Sequence, residues 1–315
     1  MQTYHTHISS KHRMLDLNLK EVWQYRDLIF LFTKRTFTLT YRSLQRQSFH
    51  DFEWIVVDDG STDNTEELFA GYLKEDNFFP IRYVKTENGG KHRAINKGVS
   101  LAEGELFFIV DSDDYLADDA LETIDRIEHT IPNELKSYFC GVCGQKGYIN
   151  GNHLGKTFDG DTLDLTMLER EKNNISGDKA EVFYTAILLQ YPFPEFQGEK
   201  FITECVVWDK IAADGYKMRF FNQIIYLCEY LPDGLTAHEE DLFRRNPMGH
   251  GRYLAQSASF GKLTGLNKWN QFYSYYRQHR KNMPISHIAK NLDMNPLIFL
   301  LRMTGMSLFY KLYDR

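Results

Sequence analysis

Three carboxylates crowd into four positions: Asp111, Asp113 and Asp114. They follow an unbroken apolar run, Leu106 to Val110. Such a run suits a strand buried on both faces of a parallel sheet. Open α/β sheets bind ligands outside the carboxyl ends of their strands. Like charges this close repel one another unless a cation joins them. Oxygen-only ligands suit Mg²⁺ or Mn²⁺, whose coordination shells substrate phosphates usually complete. The competing reading is an acidic strand-to-helix turn, with Asp113 or Asp114 as an N-cap.

Two further stretches have the same placement. Glu53 to Val57 reads as a strand, and Asp58-Asp59-Gly60-Ser61 follows it. A carboxylate there can accept a uracil N–H or bind ribose hydroxyls; a helix-capping turn is the plainer alternative. Ile81 to Val84 reads as another strand, followed by Asn88-Gly89-Gly90-Lys91-His92 and a helix running to about Leu101. Free backbone N–H groups and the helix dipole favour a phosphate in such a glycine loop, and Lys91 adds a charge. A receiver domain of a signalling relay also carries strand-end aspartates, but one small domain would complete it and leave the long remainder unused.

The elements that position these motifs alternate as strand and helix, with helices expected over Thr65–Lys74 and Ala117–Glu128. This is the pattern of a doubly wound α/β domain. A parallel neighbour for the Glu53–Val57 strand needs a crossover of a dozen or more residues. Phe37 to Tyr41 would leave only Arg42 to Phe52 for it. Leu28 to Phe32 is therefore the expected first strand, with a helix over Leu39–Gln47 in the crossover. Beyond Ile131 the pattern mixes: helix or strand-helix segments are expected over Glu181–Tyr191 and Glu204–Ala213, and a strand over Gln223–Leu231. From about Leu242 the chain reads as helical and rich in Arg, Lys and Tyr. The expected division is an extension over residues 1–26, an α/β domain over 27–240 and a helical region over 241–315.

Composition sets outer bounds. The 315 residues are 43% hydrophobic and 25% charged, ordinary for a globular protein. A net charge of −6 makes no general case for nucleic-acid binding. Four cysteines are too few for a disulfide scaffold, and Cys140-x-x-Cys143 has no second pair at metal spacing, so Ser137–Cys143 reads as a buried strand. No signal peptide opens the chain and no apolar run is long enough to span a bilayer, so a cytoplasmic location is expected.

In order and spacing, Ile-Val-Val-Asp-Asp-Gly-Ser-Thr-Asp-Asn-Thr, Asn-Gly-Gly-Lys-His-Arg-Ala-Ile-Asn-Lys-Gly and Phe-Ile-Val-Asp-Ser-Asp-Asp-Tyr-Leu closely resemble family-2 glycosyltransferases with the GT-A fold. The strong part spans Ser43 to about Leu116, and a weaker one continues to about Thr236. The resemblance implies a Rossmann-like mixed sheet, a UDP-sugar donor and Mn²⁺ or Mg²⁺. It assigns Asp58 and Asp59 to uridine, Lys91 to the nucleoside-phosphate end, Asp111 to ribose, and Asp113 and Asp114 to the metal. The family also places a carboxylate base a few residues before a helical Trp. Counting back from Trp208, Glu204 takes that place, Thr203 replaces its acidic partner, and Glu199 is the alternate. A solvated carboxylate in a helix's first turn is the plain reading of Glu204.

The start of the chain departs from the family. Residues 8 to 41 resemble the cytoplasmic start of the permease subunit of polysaccharide ABC exporters, and the sheet should not need residues 1 to about 24. The segment that covers the nucleobase in the family is Phe32-Thr33-Lys34-Arg35 here, without its Asn and preceding Pro. The expected function is inverting, metal-dependent transfer of a sugar from a UDP-sugar to a lipid-linked saccharide acceptor in bacterial surface polysaccharide synthesis. The rivals are a catalytically impaired nucleotide-sugar-binding scaffold with a damaged first strand, and a nucleotidyltransferase that would need no base at Glu204. The apolar tail from Pro296, below helices mixing Lys and Arg with Trp and Tyr, fits either an internal docked helix or a peripheral position on the inner face of an anionic membrane.

Overall fold

The computed structural model describes residues 37–228 and 239–313. The expected strand at Leu28–Phe32, the exporter-like start up to residue 36 and the last residues of Gln223–Leu231 lie outside them. Residues 37–45 form helix α1, so Phe37 to Tyr41 is not a strand. Strand β1 (Trp54–Asp58) is followed by α2 (Thr65–Tyr72), β2 (Ile81–Lys85), α3 (Lys91–Leu101), β3 (Leu106–Phe108), β4 (Tyr115–Leu116) and α4 (Ala120–Glu128). Next come β5 (Phe139–Gly147), β6 (Thr162–Leu165), β7 (Lys179–Tyr184), α5 (Thr185–Leu188), α6 (Cys205–Ala213) and β8 (Lys217–Leu227). The rest is helical: α7 (Glu239–Arg245), α8 (Pro247–Ser259), α9 (Gly265–His279), α10 (Ile285–Asn291) and α11 (Pro296–Tyr313).

β1 and β2 pair in parallel, with Trp54 opposite Ile81 and Asp58 opposite Lys85. The larger sheet is mixed, ordered β3-β7-β5-β8-β4, with β6 also against β8. Its one parallel pair is β5 with β8; β3 pairs antiparallel with β7. This corrects the reading of Leu106–Val110. The strand is shorter, it is half-buried rather than buried on both faces, and its hydrogen-bonded neighbour is antiparallel. An apolar run reports burial but not the direction of its partner. Helix α3 spans both sheets from one side. A Cβ on Gly98 would meet the Phe107 ring at 3.3 Å and Val57 at 3.7 Å, so glycine lets the helix lie close to β1 and β3.

The main core fills the space around β5, β7 and β8, where Val142, Cys143, Val182, Phe183, Phe220 and Tyr226 are all buried. Cys140 and Cys143 are free, buried members of that core, as a buried strand requires. A second core, centred on Phe272, Tyr275, Ile288 and Phe299, holds the C-terminal helices together.

Candidate active site

The turn after β3 is built from long-range contacts. The N–H of Asp114 donates to the Asp111 carbonyl at 3.1 Å, closing the turn. Helix α1 holds it from behind. Thr40 Oγ1 donates to the Asp114 carbonyl at 2.6 Å, the Leu116 N–H donates to Ser43 Oγ at 3.2 Å, and Gln47 bonds Ala117 and Leu121. These three polar residues are buried, so the contacts satisfy groups that would otherwise be costly to bury. Tyr226, fully buried on β8, accepts the Asp111 N–H at 2.9 Å. The N-cap of α4 is Asp119, so neither Asp113 nor Asp114 caps that helix.

The carboxylates differ in environment. Asp113 is exposed and Asp114 is buried. Burial pushes Asp114 up to about 6, against a hydrogen bond from Tyr226, and the nearby Asp113 charge pushes in the same direction. Burial also opposes the charge on Asp111, but Lys91 outweighs it and holds that carboxyl below its ordinary value.

Lys91, the first residue of α3, is the hub. Its Nζ lies 2.6 Å from Asp111 Oδ1 and 3.1 Å from Glu204 Oε1. Burial disfavours its charge, yet Glu204 and Asp111 raise its pKa well above the usual lysine value. Glu204 is the N-cap residue of α6, but its side chain makes no capping bond and turns to Lys91 instead. Trp208 fixes that helix. Its ring packs 4.3 Å from Phe183 on β7 and 5.5 Å from Phe193, and its backbone N–H donates to the Glu204 carbonyl at 3.0 Å.

Glu199 has a different task. Its Oε1 accepts the Met248 N–H at 2.7 Å and its Oε2 the Gly249 N–H at 2.9 Å, at the start of α8. The first N–H groups of a helix lack internal partners, and a buried carboxylate satisfies two of them here. Both oxygens of this alternate candidate base thus accept amides at the start of α8.

Asp58 and Asp59 likewise work inside the protein. Asp58 is buried; its Oδ1 accepts the Ser61 N–H at 2.7 Å, and its other oxygen accepts the Tyr83 hydroxyl. Burial works against its charge, but these bonds win and lower its pKa. Asp59 receives the Gly89 N–H at 2.6 Å and the Gly90 N–H at 2.7 Å. The glycine loop's N–H groups, expected to be free for phosphate, are thus engaged by Asp59. Sequence separation of thirty residues hid this pairing. Gly90 has φ +97° and a Cβ there would fall 1.8 Å from the Lys200 carbonyl oxygen, so only glycine lets the 195–200 loop sit on the start of α3.

Three contributors escaped sequence reading. Arg93 clamps the 195–200 loop, donating to the carbonyls of Glu199 at 2.6 Å and Phe196 at 2.8 Å and pairing with Glu195 at 3.0 Å. It lies within the glycine-loop motif and that was its only signal. Tyr226 and Lys146, whose Nζ stands 4.1 Å from the Tyr226 ring centroid, come from distant strands with no local signature. Among the described residues no three His, Cys, Asp or Glu converge as a metal-holding group.

The model of glycosyl transferase family 2 matches residues 34–129. Glycosyltransferase GlyG of Streptococcus pneumoniae is 42% identical over 80 residues, which is 25% of this chain and 26% of that protein. The GalNAc(5)-diNAcBac-PP-undecaprenol beta-1,3-glucosyltransferase of Campylobacter jejuni is 29% identical over 174 residues, 53% of this chain and 52% of its own. The chain thus spans from about a quarter to about half the length of these relatives. The crystal structure of S. aureus TarS 1–349 in complex with UDP aligns with a TM-score of 0.50 at 20% identity, over 82% of this chain and 80% of that one, which is a likeness of fold. The strand-end acidic pair, the glycine loop and the acidic turn all lie inside residues 34–129, the segment that matches glycosyl transferase family 2, and the chain has the GT-A fold.

Proposed function

We propose that this chain transfers a sugar from a UDP-sugar to a saccharide acceptor, with inversion at the anomeric carbon. The observation that carries the reading is the Lys91 ammonium, held between Asp111 at the end of β3 and Glu204 at the start of α6. It sets an acidic turn suited to a donor diphosphate across from a carboxylate suited to an acceptor hydroxyl.

Glu204 takes the proton of that hydroxyl as its oxygen attacks the anomeric carbon. The bond from that carbon to the diphosphate oxygen breaks on the opposite face, and UDP leaves with the electron pair. Lys91 stands beside both events, paired with Glu204 and offering a cation to the departing phosphates. Asp58 and Asp59 position the two loops that border the nucleoside, and Asp111 serves the ribose. The donor set of the turn is all oxygen, from the exposed Asp113 and the buried Asp114. That chemistry fits Mg²⁺ or Mn²⁺, held by Asp113 and Asp114 with the remaining ligands from the diphosphate. When bound, such an ion neutralises charge growing on the leaving group.

The name of the Campylobacter relative gives an undecaprenol-linked acceptor, and the UDP complex of TarS supports a uridine donor. We accordingly place the reaction in bacterial surface polysaccharide synthesis, on a lipid-linked acceptor at the inner face of the cell membrane. A panel of UDP-sugars assayed for UDP release tests the activity. Calorimetry with UDP and Mn²⁺ separates it from the scaffold reading, because a ruined donor pocket gives no heat.

A further inference from the structure

Helix α11 is apolar on the side turned away from the protein. Phe299, Met303 and Met306 face the second core and are buried. On the other side Leu297, Leu301, Leu308 and Leu312 are 73%, 74%, 58% and 75% exposed, and Ile298 is 54% exposed. The leucines recur at spacings of four, seven and four, which keeps them on one helix face. Isolated exposed leucines are ordinary, but four on one face of an 18-residue helix, about 27 Å long, broken only by the small Thr304 and Gly305, make a contact surface.

Charge identifies its partner. Arg302 and Lys311 flank the row on opposite sides, and α11 has no carboxylate. Residues 247–313 hold nine Lys and Arg against a single Asp, although the whole chain carries −6. Along one flank, Arg302 lies 4.9 Å over the Trp269 ring, with Lys268 5.4 Å from the same ring. Aromatic rings paired with cations beside an apolar face are found at membrane–water boundaries. Among the described residues no helix is long and apolar enough to cross a membrane. Self-association through this face would press two basic regions together, which like-charge repulsion opposes.

We infer that α11 lies in the plane of an anionic lipid surface, its leucine row in the acyl boundary and Arg302 and Lys311 at the phosphate level. This deepens the membrane placement proposed above and rests on it for its setting, while the transfer chemistry does not depend on it. The test is sedimentation of the full chain with vesicles of phosphatidylcholine alone or with one quarter phosphatidylglycerol. Binding to the anionic vesicles should be at least tenfold stronger at low salt and should weaken in high salt. The double substitution Leu301→Glu with Leu308→Glu should lower it at least tenfold. The melting temperature and UDP release without vesicles should stay unchanged, because both side chains are already in water. A parent chain that stays in the supernatant, or a double variant that binds equally, overturns the assignment. So does a dimer seen by sedimentation velocity that the same substitutions dissociate, with no vesicle binding; a second copy would then be the occupant. Vesicle binding without UDP release from any donor would overturn the transfer reaction and leave this surface standing.

Discussion

At the residue scale, the proposed chemistry rests on Lys91 with its two carboxylate partners and on the acidic turn beside them. Lys91 contacts Asp111 and Glu204, while Asp113 and Asp114 complete the acidic turn. Asp113→Ala should leave the fold intact, since the side chain is exposed. If Asp113 holds the proposed metal, losing it should cost several kcal/mol of transition-state stabilisation, on the order of 10²–10³-fold in turnover. Steady-state UDP release in saturating Mn²⁺ measures this, and near-parental turnover would remove the metal assignment. Glu199→Gln makes the opposite case. Its carboxylate is committed to the Met248 and Gly249 amides, so turnover per folded molecule should stay within a few-fold of the parent. A loss as deep as that of a base variant would return Glu199 to the reaction. The types and spacing of Asp111, Asp113 and Asp114 were legible because strand-end carboxylates need few assumptions. The engagement of Asp58, Asp59 and Glu199 was not, since each bonds backbone amides distant in sequence or at a loop the eye reads as exposed.

At the element scale, the site is assembled by contacts between pieces far apart in the chain. α1 and the segment just past it brace the acidic turn, through Thr40 and Ser43 and through Gln47; Trp208 seats α6; Arg93 ties α3 to the 195–200 loop; Glu199 ties that loop to α8. Hydrophobic period announced most of these helices but nothing about their mutual bracing. Nor did an apolar run disclose that β3 pairs antiparallel with β7. Glu199→Ala should leave two helix-start amides without partners and cost about 1–2 kcal/mol, read as a lower melting temperature. Glu128 at the end of α4 gives a pH-dependent test. It accepts Tyr184 Oη of β7 at 2.6 Å and Lys136 Nζ at 2.5 Å. Burial opposes its charge, but these partners outweigh burial and hold its pKa below the ordinary 4.5. A lowered carboxyl pKa stabilises the fold above the unfolded value, and that contribution disappears as pH falls through the folded value. Melting temperatures should thus decline below about pH 4.5, and Glu128→Gln should start lower and fall less steeply over the same range. Parallel curves would assign the acid sensitivity elsewhere.

At the scale of the whole molecule, two cores divide the labour. The α/β core carries the acidic turn, the glycine loop and Glu204; the helical core presents a basic region with an outward leucine row. Glu199 and Asn246 join them, the latter accepting the Lys200 N–H at 2.8 Å. The fold class followed from strand–helix alternation, and the helical C-terminal region from its composition. The direction of the α11 face did not, because Pro296 to Tyr313 is apolar nearly all round and only packing decides which side is buried.

The proposed transfer requires Glu204 to act as the base opposite the acidic turn. Turnover of Glu204→Gln, measured as UDP release beside calorimetric UDP affinity, addresses it most directly. A positioned general base contributes roughly 10²–10⁴-fold, so release should fall by that factor while UDP affinity changes by less than about threefold. Release at the parental rate with UDP still bound would contradict the assignment.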